Sequence, residues 1–350
     1  MIKLIITSGK GEYDATHLTQ SITWSGDYQQ CSRTLEFGIL SSYTDRNVPA
    51  VPCDLGSRVT FIQDKRVLFD GFIFERQKDT ESNVINIVCY DRGIYLKRNE
   101  AAYKFTGVTP EAITRMICKD FGIDAGSIAV TGINISRNFI GVSLYKIIQT
   151  AYTLAAEQTG KKYMVRFSGS KLTVVEKTVT DETLVIEGGK NLMSASTSES
   201  ISSMINQVAI YNSEDVRIGT QSDSEAIKLY GLMQSYLKQV DGEDVKAKAK
   251  HILAENGISQ KIVINNLGNI ANIAGGTVVV REPYTGLYGL FFIDADVHTW
   301  KLSQYYNKLT VNFKNMMDEQ EAGSLPNKSG SKTADTWSYI NKPGGGNNGG

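Results

Sequence analysis

The sequence predicts an α+β protein that is predominantly β: two similar β modules, an α/β insertion between them, and a glycine-rich tail. Three observations predict it. Short runs of alternating or β-branched apolar residues dominate both the first and the last thirds of the chain. Strong helical periodicity is concentrated between them, around residues 109–159. Gly56 to Ile87 is also echoed by Gly276 to Phe313. The expected divisions are 1–97, 98–177, 178–316 and a flexible 317–350.

The first 97 residues read as strands. Ile2 to Ile6 is an apolar run, and Arg33 to Leu40 puts Leu35, Phe37 and Ile39 on one face. A meander follows. Val59 to Ile62 passes through the polar turn Gln63-Asp64-Lys65-Arg66 into Val67 to Phe74, and Asn83 to Tyr90 comes next. Thr109-Pro110 then starts a helix, with Ile113, Met116, Ile117 and Phe121 on one face and Gly122 as its terminator. A second helix runs from Ser143 to Thr159, burying Leu144, Ile147, Ile148, Ala151 and Ala155, and Gly160 ends it. Tyr163 to Phe167 and Lys171 to Glu176 flank Ser168-Gly169-Ser170 as a hairpin.

Beyond residue 178 the chain returns to β. A Ser-rich stretch, Ser194 to Ser203, precedes a strand at Gln207 to Tyr211. Helices are expected over Ser224 to Leu229 and Glu243 to Glu255, the latter turning Val245, Ala249, Ile252 and Leu253 inward. Strands follow at Lys261 to Asn265, Thr277 to Arg281, Leu290 to Thr299 and Lys308 to Phe313. In the tail, Trp337, Tyr339 and Ile340 lie between linker-like segments. They read either as loose chain or as the anchors of a short docking motif.

In the internal echo, Gly56-Ser-Arg-Val59-Thr-Phe61 is set beside Gly276-Thr-Val278-Val-Val280. Gly71-Phe72-Ile73-Phe74 is set beside Gly289-Leu290-Phe291-Phe292-Ile293, and Val84 to Ile87 beside Leu309 to Phe313. Identity is low. The choice is between a duplicated module and hairpins that resemble each other by physics alone.

Composition narrows the function. Lys+Arg and Asp+Glu both number 37, which argues against a general nucleic-acid binder, since that needs excess cation. Hydrophobic residues at 41% and charged residues at 21% support a folded core. Cys31, Cys53, Cys89 and Cys118 form no CxxC motif and read as reduced thiols, with Cys89 and Cys118 in core periodicity. The N-terminus lacks a signal-peptide apolar region, and no stretch is apolar enough to span a membrane.

No catalytic motif stands out. HExxH, GxSxG and a P-loop are missing from the sequence. Three histidines occur; His17 and His251 read as solvated. Asp294, Asp296 and His298 are spaced by two within an expected strand, so they would share one face. Such a face can ligate a divalent metal. With Phe291, Ile293, Ala295 and Val297 opposite, it is also what a half-buried strand looks like. The favoured expectation is a solvated or interface face with no metal and no cofactor.

The order of several segments resembles a known family. Phe69-Asp70-Gly71-Phe72-Ile73, then Ile85 to Asp91, then Leu96-Lys97-Arg98-Asn99 look like the first β domain of XkdQ/YqbQ-type tail proteins. So do Ser198 to Val208, with Asn206 inside it, Tyr230-Gly231, and the strand from Gly289 to Ile293 that ends at His298. The family occurs in PBSX-like prophages, contractile phage tails and R-type bacteriocins, and is similar to late-control D proteins and the T4-type hub. The resemblance implies structural roles for Gly71, Asp91, Asn206, Tyr230, Gly231, Gly289 and His298. It implies two tube-like β-barrel modules per chain and a non-catalytic homotrimeric baseplate hub. Expected partners are the tail tube protein or a tube initiator, the central spike, and baseplate wedge and tape-measure proteins. DNA would pass only through the lumen. Assembly is expected in the bacterial cytoplasm, within a phage-like particle released by lysis. The competing expectations are a tail-associated peptidoglycan hydrolase and a carbohydrate-binding tail adhesin.

Overall fold

The computed structural model describes residues 1–42, 45, 47–179, 184–239 and 245–326. Trp337, Tyr339 and Ile340 lie outside them. Chain compactness separates one unit, formed by residues 1–194 and 264 onward, from a second, residues 195–263.

The first unit opens with seven strands: β1 (Ile2–Ser8), β2 (Gly11–Asp14), β3 (Thr19–Asp27), β4 (Thr34–Leu40), β5 (Arg58–Gln63), β6 (Arg66–Lys78) and β7 (Val84–Asp91). The β5–β6 turn closes through Asp64 and Lys65, both at positive φ, as a tight two-residue hairpin requires. Leu4, Ile6, Leu35, Phe37, Phe61, Ile73 and Ile87 fill the core of this module. The strand β3 has no counterpart in the sequence reading, although Ile22 and Trp24 alternate onto its buried face.

The insertion follows: α1 (Gly93–Arg98), β8 (Glu100–Val108), α2 (Pro110–Asp120), β9 (Ala125–Ile128), β10 (Ile135–Ser143), α3 (Leu144–Thr159), β11 (Tyr163–Ser168) and β12 (Lys171–Glu176). Both expected helices are present. Pro110 occupies the first turn of α2, but the Thr109 hydroxyl makes no capping bond. Ser143 caps α3 by accepting from the Lys146 N–H, and Gly160 ends it at φ 72°. The buried face of α3 packs with Phe105, Ile113, Ile117 and Phe139.

After β13 (Leu184–Glu187), β14 (Leu192–Ser200) carries the chain out of this unit. In sequence most of β14 was a Ser-rich connector. The second unit centres on β15 (Gln207–Tyr211), flanked by β16 (Arg217–Ser222) and β17 (Gln234–Lys238), with α4 (Ser224–Tyr230) and α5 (Val245–Glu255). Val208, Ile210 and Ala249 form its small core. The chain returns through β18 (Ser259–Leu267) to β19 (Thr277–Glu282), β20 (Leu287–Lys301) and β21 (Gln304–Asn312). No helix of the described residues is long and apolar enough to cross a membrane.

The two β modules share one strand order. In the first the neighbours run β1-β5-β6-β7-β4-β3; in the second they run β13-β19-β20-β21-β18-β14. The correspondence extends to backbone detail. Ile73 donates to the Ser57 carbonyl and accepts from Gly56, as Ile293 does with Gly276 and Gly275. A β-bulge follows each, between Ile73 and Glu75 and between Ile293 and Ala295. The echo read from sequence is therefore a repeated topology, but in shifted register. Gly56 corresponds to Gly275 rather than Gly276, and Gly71 to Phe291 rather than Gly289. One difference is directional: β1 runs antiparallel to β5, whereas β13 runs parallel to β19.

Residues 317–326, expected to open the flexible tail, are fixed instead. Met317 is buried in the insertion core. The Tyr145 hydroxyl donates to Asp318 at 2.5 Å, Gln149 Nε2 to the Asp318 carbonyl at 2.6 Å, and Ser324 exchanges backbone bonds with Asn138. A chain ended after residue 316 should lose about 2–4 kcal/mol of stability by urea unfolding, through lost apolar burial and orphaned polar groups.

Candidate functional site

The two modules meet strand to strand. The first part of β20, Leu287 to Phe292, pairs with β19. Its second part, Ala295 to Lys301, leaves β19 and pairs antiparallel with Asp27 to Ser21 of β3. The bulge after Ile293 also changes which side chains face inward. Before it Leu287, Phe291 and Ile293 are buried; after it Asp296, His298 and Trp300 are.

Asp296 and His298, expected on a solvated or interface face, are both 0% exposed. A strand of unbroken alternation would keep Phe291, Ile293, Ala295 and Val297 inward; the extra residue at the bulge reverses the faces. Asp296 Oδ1 accepts from Ala274 N–H at 2.6 Å and from Arg33 Nη1 at 3.0 Å. Its Oδ2 receives Arg33 Nη2 and lies 3.1 Å from His298 Nε2. Arg33 stands between β3 and β4, so this fork ties the two modules together. Burial alone would raise the Asp296 carboxyl, but the Arg33 charge and the hydrogen bonds from His298 and Arg33 prevail and hold it at about 2.

The imidazole of His298 is engaged at both nitrogens. The Tyr305 hydroxyl lies 2.7 Å and the Asn307 amide 2.9 Å from Nδ1, so Nδ1 accepts. The Asn307 Oδ1 takes the Asn269 N–H, which fixes the orientation of that amide. Nε2–H then points to the Asn272 carbonyl at 3.0 Å and to Asp296. Aromatic rings seal the joint. Trp24 lies 4.8 Å from the His298 ring, with the Arg33 guanidinium 3.8 Å above the Trp24 centroid. Trp300 stacks on Tyr305 at 4.5 Å and meets Phe61 of the first core at 4.8 Å.

Asp294 does not join this cluster. It sits at the bulge with Lys177, Asn312 and Asp27 around it, and burial pushes its carboxyl up to about 6 against the pull of Lys177. The three residues therefore converge on no common point, and among the described residues no group of three or more His, Cys, Asp or Glu could hold a metal. His17 and His251 are exposed. All four cysteines are free and buried.

The other residues singled out by resemblance hold local architecture. Gly71 admits no side chain, because a Cβ would run into the Tyr90 carbonyl and the Phe69 ring. Buried Asp91 accepts from the Arg33 and Gly93 N–H groups, joining the start of β4 to the start of α1. Burial nevertheless raises its carboxyl to about 6. Asn206 donates to the Gly231 carbonyl at 2.6 Å and accepts from Met233 N–H at 2.8 Å, closing the turn after α4. Gly231 supplies the φ of 83° which that turn needs, and Tyr230 just before it is partly exposed. Gly289 lies in β20 opposite Val280. Sequence reasoning missed Trp24, Arg33, Asn272, Trp300, Tyr305 and Asn307. Trp300 continues the alternation of Asp296 and His298 and was detectable; Arg33 has no sequence signal tying it to a carboxylate 263 positions away.

Every acceptor of the Asp296 carboxylate and both imidazole nitrogens are occupied by partners within the protein. Such an arrangement fixes geometry and offers no free base or nucleophile. The fold has relatives. It matches the 43 kDa tail protein of prophage MuSo2 from Shewanella oneidensis with a TM-score of 0.67 at 14% identity, covering 88% of this chain and 97% of that one. It matches the E. coli c3393 protein, a type VI secretion component described as structurally similar to the T4 tail proteins gp27 and gp5. There the TM-score is 0.50 at 11% identity, over 88% of this chain and 76% of that one. In sequence it is 26% identical over 311 residues to the phage-like element PBSX protein XkdQ of Bacillus subtilis (strain 168), covering 86% of this chain and 94% of that protein. The class so defined is a fold shared with phage tail proteins. Within that class the chain belongs to the YQBQ-like family, whose profile matches residues 22–312.

Arg33→Met should destabilise the fold by about 3–5 kcal/mol, because it strands a buried carboxylate; adding Asp296→Asn should recover part of that loss in a double-mutant cycle. Stability should also peak in mild acid. Asp91 and Asp294, with folded values above their unfolded ones, hold protons in the native state, so urea midpoints should rise as pH falls from about 6 to about 4. Asp296, with its value depressed, stabilises above about 4, and that contribution should vanish as pH falls through about 2. Each arm should amount to about 1–3 kcal/mol. Asp91→Asn with Asp294→Asn should flatten the first arm, and Asp296→Asn the second.

Proposed function

We propose that this chain is the hub subunit of a contractile-tail baseplate, a homotrimer that joins a hexameric tail tube to a trimeric central spike. The observation that carries the reading is the repeated module. Two β modules with the same strand order and the same bulge lie in one chain, so three chains present six equivalent edges to a sixfold ring while keeping threefold symmetry. The differences between modules, such as the direction of β1 against that of β13, supply the threefold character.

The resemblance of the fold to the c3393 protein, itself likened to T4 gp27 and gp5, supports this reading. The partners are then the tube protein or a tube initiator on one side and the spike on the other, with wedge and tape-measure proteins nearby. The chain would assemble in the bacterial cytoplasm and leave by lysis, in a phage or a headless bacteriocin particle. The structural roles of Gly71, Asp91, Asn206, Tyr230, Gly231, Gly289 and His298 belong to the same proposal, as does docking by Trp337, Tyr339 and Ile340.

Quantitative mass spectrometry of purified tail particles tests it. Three copies per particle are expected, against tube subunits in multiples of six. Six copies, or absence from intact tails, would overturn the hub role.

A further inference from the structure

The joint between β3 and β20 exists once inside the chain, but the parts for it exist twice. In each module the strand that carries the bulge is β6 or β20, and the strand ending the shared order is β3 or β14. Inside the chain β20 takes β3. The corresponding stretch of β6, Glu75 to Lys78, is paired with β7 on one side only, and all four residues are exposed. Its other edge parts from β5 at Phe72, just as β20 parts from β19 at Phe292. The corresponding outer strand, β14, ends the sheet and is exposed along most of its length. An unused strand edge of this kind is a template for pairing with another chain.

Charge supports the match. Past the bulge Arg76 occupies the place that Asp296 holds in β20. It reaches the loop before β5, with Nη1 3.0 Å from the Cys53 carbonyl, as Asp296 reaches Ala274 before β19. The same Nη1 lies 3.3 Å from Asp54 of its own chain, a pair exposed enough to admit a second carboxylate, and with the sign reversed from Asp296 a group that reached Arg76 from another copy would be acidic. β14 has one charged residue, Glu199, whose carboxylate meets only the Gln260 amide at 3.1 Å in the described contacts.

We propose that copies of this chain join head to tail, β14 of one copy lying antiparallel along Glu75–Lys78 of the next, with Glu199 answering Arg76. This rests on the trimeric-hub reading and specifies its interface. If the external joint repeats the rotation of the internal one, six modules close with three chains.

The test uses the full chain carrying Lys78→Cys together with Ala195→Cys, Ser196→Cys, Thr197→Cys or Ser198→Cys, singly. The four native thiols are buried and do not compete. Oxidation of purified protein and of tail particles should give disulfide-linked dimers and trimers, with yield alternating along β14 because alternate residues share a face. Arg76→Glu and Glu199→Arg should each weaken self-association at least tenfold, and together restore most of it. A chain that trimerises or enters tails without cross-linking at any position would overturn the edge pairing and leave the hub reading standing. Cross-linked open polymers that never close at three would retain the pairing and overturn the hub. A double charge reversal no better than either single one would remove Glu199 as the partner of Arg76.

Discussion

The architecture of the first unit depends on one strand changing partners. β20 spends its first half against β19 and its second half against β3, and the β-bulge between Ile293 and Ala295 marks the change. That single inserted residue does two things. It frees an edge for the other module, and it turns Asp296, His298 and Trp300 inward where strict alternation would have turned them out. A buried carboxylate and imidazole then need partners, and Arg33, Tyr305, Asn272 and Asn307 supply them. The joint is accordingly polar at its centre and aromatic around it.

A polar lock of this kind selects one arrangement more than it adds stability. A purely apolar joint would tolerate sliding by two residues, since period-two packing looks alike after each shift. The Arg33 fork on Asp296, and the hydrogen-bonded imidazole beside it, are satisfied in one register only. Whether a buried ion pair confers specificity differs between proteins; here the geometry of the fork and the ring stack fixes it directly.

The joint also accounts for the candidate chemistry read from the strand after Ile293. Residues that looked like candidate chemistry in the sequence, Asp296 and His298, are consumed in holding the modules together, and Asp294 is directed elsewhere by the bulge. The insertion adds its own core around α3 and secures Met317, Asp318 and Ser324.

The sequence by itself determined the predominance of β structure and the two insertion helices with their Ser143 and Gly160 ends; it placed Cys89 and Cys118 in core periodicity and raised the repeat as one of two readings. These are local properties: periodicity, caps and turn residues act over a few positions and are legible in one pass. Only the tertiary structure decided the register of the repeat, the strand identity of Thr19–Asp27 and Leu192–Ser200, and the burial of His298. The reason is physical. A bulge adds one residue without a signature of its own, and it shifts every later side chain to the other face. β14 ends the sheet and is exposed along most of its length, so it carries no alternation to read. The bond from Arg33 to Asp296 joins residues brought together by closure of the whole unit, and no spacing in the chain could announce it.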